Sequence, residues 1–128
     1  MNVFRAEDLR KSSDFFKVLV NTDRSQVAVM VLQNGQETGP LGSDHPQSDQ
    51  LLFVLEGEGQ LVLKGEDIHL RAGDAVLIPA GLAHQVVGMT DHPFRSLNVY
   101  SPVAYPNDAP EPPEALHQDP VSFDAEQR

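Results

Sequence analysis

From Phe15 onward, short apolar runs alternate with clusters of turn-forming residues. Phe16, Val18 and Val20 interleave with Phe15, Lys17 and Leu19, and the run breaks at Asn21 to Arg24. Val27 to Leu32 is a β-branched stretch that stops at Asn34-Gly35, a dipeptide suited to tight turns. Leu51 to Leu55, Gln60 to Leu63, Ile68 to Leu70, Ala75 to Ile78, His84 to Val87 and Phe94 to Tyr100 follow, with Gly57, Gly59, Gly65, Gly73 and Pro79-Ala80-Gly81 among the breaks. Many short strands at roughly ten-residue spacing, with glycine-rich corners, predict an all-β sandwich or barrel.

The ends read differently. Ala6 to Ser12 is the only helical candidate, short and weakly amphipathic, and it is read as a turn or a loose N-terminal segment. Beyond Pro102 the chain is rich in proline and acidic residues and poor in aliphatic ones, a composition that opposes a packed element. The expected organisation is a single domain. An N-terminal segment covers 1–12, a β-barrel covers 13–103, and a Pro-rich acidic tail over 104–128 is laid across the barrel through Tyr105 and Phe123.

Composition narrows the function classes. A chain of 128 residues is long enough for one hydrophobic core and too short for two. A formal net charge of -10 repels phosphate backbones and anionic lipid, so neither nucleic acid nor a membrane is an expected partner. The absence of cysteine excludes disulfides, thiolate metal sites and cysteine nucleophiles. The opening residues MNVFRAEDLRKSSDFF carry no long apolar run of the kind a signal peptide needs, and the expected location is cytoplasmic. The serines lack a placed base, and no helix follows Glu56-Gly57-Glu58-Gly59 to make it a phosphate loop.

Of the five histidines, His45 and His84 stand in patterned surroundings. His84 comes three residues after Gly81 in a Pro-x-Gly corner, where the next strand begins. His45 and Gln50 precede the Leu51 to Leu55 strand. In a rolled sheet, side chains at strand starts converge on the interior. Imidazole nitrogen is the commonest protein ligand for first-row transition metals, and two imidazoles with one oxygen donor make a minimal site with open positions. His69 is read as a surface residue, His92 as a turn residue and His117 as part of the tail.

These stretches resemble the paired motifs of the cupin superfamily, G-x5-H-x-H-x3-4-E-x6-G and G-x5-P-x-G-x2-H-x3-N. Gly73, Pro79, Gly81 and His84 fit the second, with Gly88 where its final Asn belongs. His45, Gln50 and Gly57 fit the first in part, Gln50 taking the place of Glu and Ser43 that of the first His. The sequence is similar to small cupins with a variant H-P-x-x-D-Q first motif. The resemblance implies a double-stranded β-helix, the jelly-roll barrel, over roughly residues 13–103. It also implies a divalent transition metal (Zn, Fe, Mn or Ni) held by His45, Gln50 and His84.

Some alternatives stay open. Gln50 is either an oxygen ligand or a hydrogen-bond partner that orients a histidine. A register shift of one residue would turn Asp49 to the site in its place. Ser43 is a pocket wall or a water partner. Two functions are compatible with this pattern: a metal-dependent enzyme on a small molecule, of dioxygenase, isomerase or lyase type, and a non-catalytic module that binds or senses a small ligand in the barrel. A homodimer is expected, with Phe15 to Val20, apolar on both faces, at its interface.

Overall fold

Alternating apolar residues favour extended backbone because a pleated strand sends successive side chains to opposite faces. The computed structural model describes residues 3–39, 41–42 and 45–105. Within them lie a short helix α1 (Ala6–Leu9) and the strands β1 (Phe16–Asn21), β2 (Gln26–Leu32), β3 (Asp49–Glu56), β4 (Glu58–Leu63), β5 (Glu66–Arg71), β6 (Ala75–Ile78), β7 (Gln85–Gly88) and β8 (Phe94–Ser101). Each expected run is a strand.

Strands β1, β2, β8, β3 and β6 form one sheet in that order, and β5, β4 and β7 form a second. All pairs are antiparallel. The two sheets pack face to face as a double-stranded β-helix and are not closed into a cylinder.

Strand parity decides what enters the space between the sheets. On β3, Gln50, Leu52 and Val54 are buried, while Leu51 and Phe53 turn outward and are exposed. On β8 the inward residues are Phe94, Ser96, Asn98 and Tyr100. Register sets Gln50 opposite Tyr100, and Leu52 opposite Asn98. Leu32, Leu61, Ile78, Val86 and Phe94 supply the apolar filling. The Phe94 ring fixes Gly59, since a Cβ there would lie 2.6 Å from its edge.

The N-terminal segment is more ordered than its sequence suggests. Helix α1 has only four residues, too few to show a helical period, and is held by docking instead. Its Leu9 is buried with Val29 and Leu55, against Leu19 and Leu97, on the outer face of the larger sheet.

At the other end, Tyr105 is buried edge-on to both Phe16 and Tyr100. The Gln26 side chain holds its backbone from both sides. Gln26 Nε2 donates to the Tyr105 carbonyl (2.9 Å), and the Tyr105 N–H donates to Gln26 Oε1 (3.1 Å). The chain therefore lies across the inner face as far as Tyr105, while Phe123 and His117 lie outside the described residues. Strand β1 is an edge of the larger sheet, with Phe16 turned into the core. Among the described residues, no helix is long and apolar enough to cross a membrane.

Candidate metal centre

Two loops, distant in sequence, meet at one end of the sheets. Isolated bridges pair Glu37 with Val87 and Gly42 with His84. The His84 N–H donates to the Gly42 carbonyl at 3.0 Å. That bridge sets Gly42 alongside His84.

The next residues form a tight turn. The Ser48 N–H donates to the His45 carbonyl (3.0 Å), with Pro46 at the second turn position, where a fixed φ is favourable. Asp49 then starts β3. Its Oδ1 accepts the Ala80 N–H at 2.8 Å, which ties this turn to the Pro79-Ala80-Gly81 corner. Asp49 is exposed and points away from the centre, and the strand's parity sends Gln50 inward. The H-P-x-x-D-Q spacing thus has a physical reading: Pro shapes the turn, Asp fastens it to the second loop, and Gln faces the interior.

The result is a buried polar cluster. The His45 and His84 rings are 4.9 Å apart between centroids, and both are almost fully removed from solvent. His84 Nδ1–H donates to the Leu82 carbonyl (2.8 Å), and among the described residues no hydrogen bond to its Nε2 is found. His45 Nδ1 lies 3.0 Å from the Ser48 carbonyl oxygen, and its Nε2 lies 2.8 Å from Gln50 Oε1. Gln50 Nε2 donates to Asn98 Oδ1 (2.8 Å), and Asn98 Nδ2 donates to Ser96 Oγ (3.0 Å). Tyr100 stands edge-on to His45 with a centroid distance of 5.3 Å.

The electrostatics follow from burial. Desolvation lowers the His84 pKa to about 4; the bond to the Leu82 carbonyl opposes the fall, and charge on His45 adds to it. His84 is therefore neutral at pH 7, with its proton on Nδ1. Burial pushes the Tyr100 and Tyr105 phenols well above their ordinary range, so neither loses a proton near neutrality. No Asp, Glu, Lys or Arg is found among the buried described residues. Correspondingly, no group of three or more His, Cys, Asp or Glu suited to a metal occurs among the described residues. The donor set is two imidazoles and one neutral amide.

The sequence-predicted residues His45, Gln50 and His84 are brought together. Ser43 lies outside the described residues. His69 pairs with Glu58 (2.8 Å), and His92 approaches Glu56 (3.4 Å), both exposed and away from the cluster. Gly88 has a steric reason to replace the motif's Asn: a Cβ there would collide with the Gln33 carbonyl oxygen. Asn98 and Ser96 escaped sequence reasoning. The signal for them is alternation back from Tyr100, which the apolar Leu97 and Val99 on the outer face obscure.

The Cupin domain family model matches residues 28–100. The chain belongs to the cupin family. It is 27% identical over 112 residues to the uncharacterised Bacillus subtilis protein YrkC, covering 83% of this chain and 58% of that one. It is 33% identical over 60 residues to a Streptomyces cyaneus protein named polyketide synthase CurC, covering 47% of this chain and 39% of that one. Thus the chain spans about half the length of the curated relatives it matches. Among solved structures, BH2720 from Bacillus halodurans aligns with a TM-score of 0.75 at 27% identity, over 85% of this chain and 86% of its own. KdgF from a Halomonas species aligns with a TM-score of 0.60 at 25% identity, over 68% and 78% respectively.

Proposed function

We propose that this protein binds one divalent first-row transition metal through His45 Nε2, His84 Nε2 and Gln50 Oε1, and offers it to a small molecule inside the barrel. The observation that carries this reading is the 2.8 Å contact between His45 Nε2 and Gln50 Oε1. A neutral imidazole has one N–H, and His45 Nδ1 faces a carbonyl oxygen that only accepts. With the proton on Nδ1, two lone pairs confront each other inside the protein. A cation held between the two atoms would relieve that contact.

A metal satisfies both atoms. Two ligands sharing one ion would sit about 3 Å apart, close to the 2.8 Å contact. Both rings also have Nδ1 against a backbone carbonyl, the arrangement that commits Nε2 to a metal.

The ion would act as a Lewis acid with positions left for an exogenous ligand. Neutral donors leave its charge uncompensated, and no buried carboxylate among the described residues balances it. We infer that the small molecule is an anion, such as a carboxylate, that binds the metal directly. The relative named as a polyketide synthase supports a catalytic role for the class. Among the described residues no Asp, Glu, Lys or Arg is buried to act as a general acid or base, which favours the second reading, a module that binds its ligand without turnover.

Titration of the full chain with zinc, nickel, manganese and ferrous ions tests the proposal. The expected result is saturation at one ion per chain, no uptake by a His45→Ala/His84→Ala double variant, and carboxylate binding only when metal is present. Equal uptake by the double variant would remove the site. Metal-dependent product formation would decide for the enzyme over the binder.

A further inference from the structure

The value of Gln50 as a ligand depends on which end of its amide faces His45, and the neighbours of Gln50 on β8 decide that. An amide carries an acceptor on one side and donors on the other, and the two orientations have nearly the same shape. We propose that Asn98 and Ser96 are positioning residues that keep the Gln50 oxygen turned toward His45 and the metal. This inference rests on the metal reading above.

One group in this line cannot reorient. The Ser96 carbonyl oxygen lies 3.4 Å from Asn98 Nδ2, and a backbone carbonyl only accepts. The Asn98 nitrogen must therefore face Ser96, where it also meets Ser96 Oγ at 3.0 Å. Asn98 Oδ1 then faces Gln50. An oxygen there requires the Gln50 nitrogen opposite it, at 2.8 Å. The Gln50 oxygen is left for His45 Nε2. Each member of the line is buried, with Ser96 and Asn98 fully so, and no water-facing partner competes for either amide. A backbone carbonyl in the middle of β8 thus fixes, through two amides, the atom presented at the centre. A reversed line would place an N–H donor there, which no metal accepts.

Two measurements test this. In the first, zinc affinity is read by competition with a chromophoric chelator. Asn98→Leu removes the acceptor that holds the Gln50 nitrogen and is expected to weaken zinc binding at least tenfold, as loss of an orienting partner typically does. Asn98→Asp keeps an acceptor at that place and is expected to bind within threefold of the parent, or more tightly. A role in packing alone would not separate the two variants in this direction, and equal loss or no loss in both overturns the proposal.

The second measurement needs no substitution. In the metal-free parent protein, nuclear Overhauser contacts from the Gln50 side-chain NH₂ should reach the β8 residues around Asn98 and not the His45 ring. Contact with the ring would overturn the orientation. If the parent takes up no zinc, the metal reading fails, while this second result still decides the orientation.

Discussion

The two histidines make an instructive pair, since they share a metal-ready backbone contact and differ in everything beyond it. His84 sits in a loop that fits the family motif at every spacing up to the ring, and the one hydrogen bond found for that ring among the described residues is to the Leu82 carbonyl. His45 sits in the loop that departs from the motif, and both of its nitrogens face oxygen. The ordinary loop therefore supplies a neutral ring without conflict. The variant loop supplies a ring whose Nε2 meets an amide oxygen, a contact that the proposed cation would relieve. The Glu-to-Gln change is the reason: a carboxylate would carry the negative charge that here is missing, and a neutral amide needs the Asn98 line to point its oxygen correctly.

The sharpest way to break this comparison is to remove either ring. His45→Ala and His84→Ala should each lower zinc affinity by about a hundredfold or more, beyond the effect of losing an orienting partner. Isothermal titration checks this, and a His45 variant that binds like the parent would leave His84 as a mere core residue.

Acid separates the rings next. The folded His84 accepts a proton near pH 4, against 6.5 in the unfolded chain. Between those values the unfolded chain holds the extra proton. Stability of the metal-free protein should thus rise with pH across that window and fall as pH drops through it, by roughly 3 kcal/mol in all. Urea melts of the parent and of His84→Asn at pH 4 and pH 7 measure the difference, and the variant should lose this part of the slope.

Gln50→Glu sharpens the comparison from the other side. It restores the charge and should raise zinc affinity about tenfold, because ligand charge tunes metal binding. The smallest effect belongs to the link between the loops. Asp49→Ala deletes the bond to the Ala80 N–H and should cost about 1 kcal/mol in a urea melt.

Much of this was legible from residue order. The strands announced themselves through Gly and Pro punctuation, and His84 through its distance from Gly81. Gln50 was legible as an inward residue by alternation. Asn98 and Ser96 were not, because both faces of β8 are covered. Its sequence Phe94-Arg95-Ser96-Leu97-Asn98-Val99-Tyr100 sends Leu97 and Val99 to the outer face, so hydrophobicity alone points the wrong way. Helix α1 was illegible for another reason. Four residues carry no period, and the docking of Leu9 on β2 and β3 depends on contacts formed only in the folded sheet. The roles of Ser48 and Asp49 depend on a turn whose partner, Ala80, lies in the other motif.

The proposed site depends on a cation between His45 and Gln50, and elemental analysis of protein purified without chelator or added metal addresses it most directly. Close to one first-row divalent ion per chain is expected, lost in His45→Ala. Metal-free protein that also refuses added zinc at micromolar concentration would contradict it.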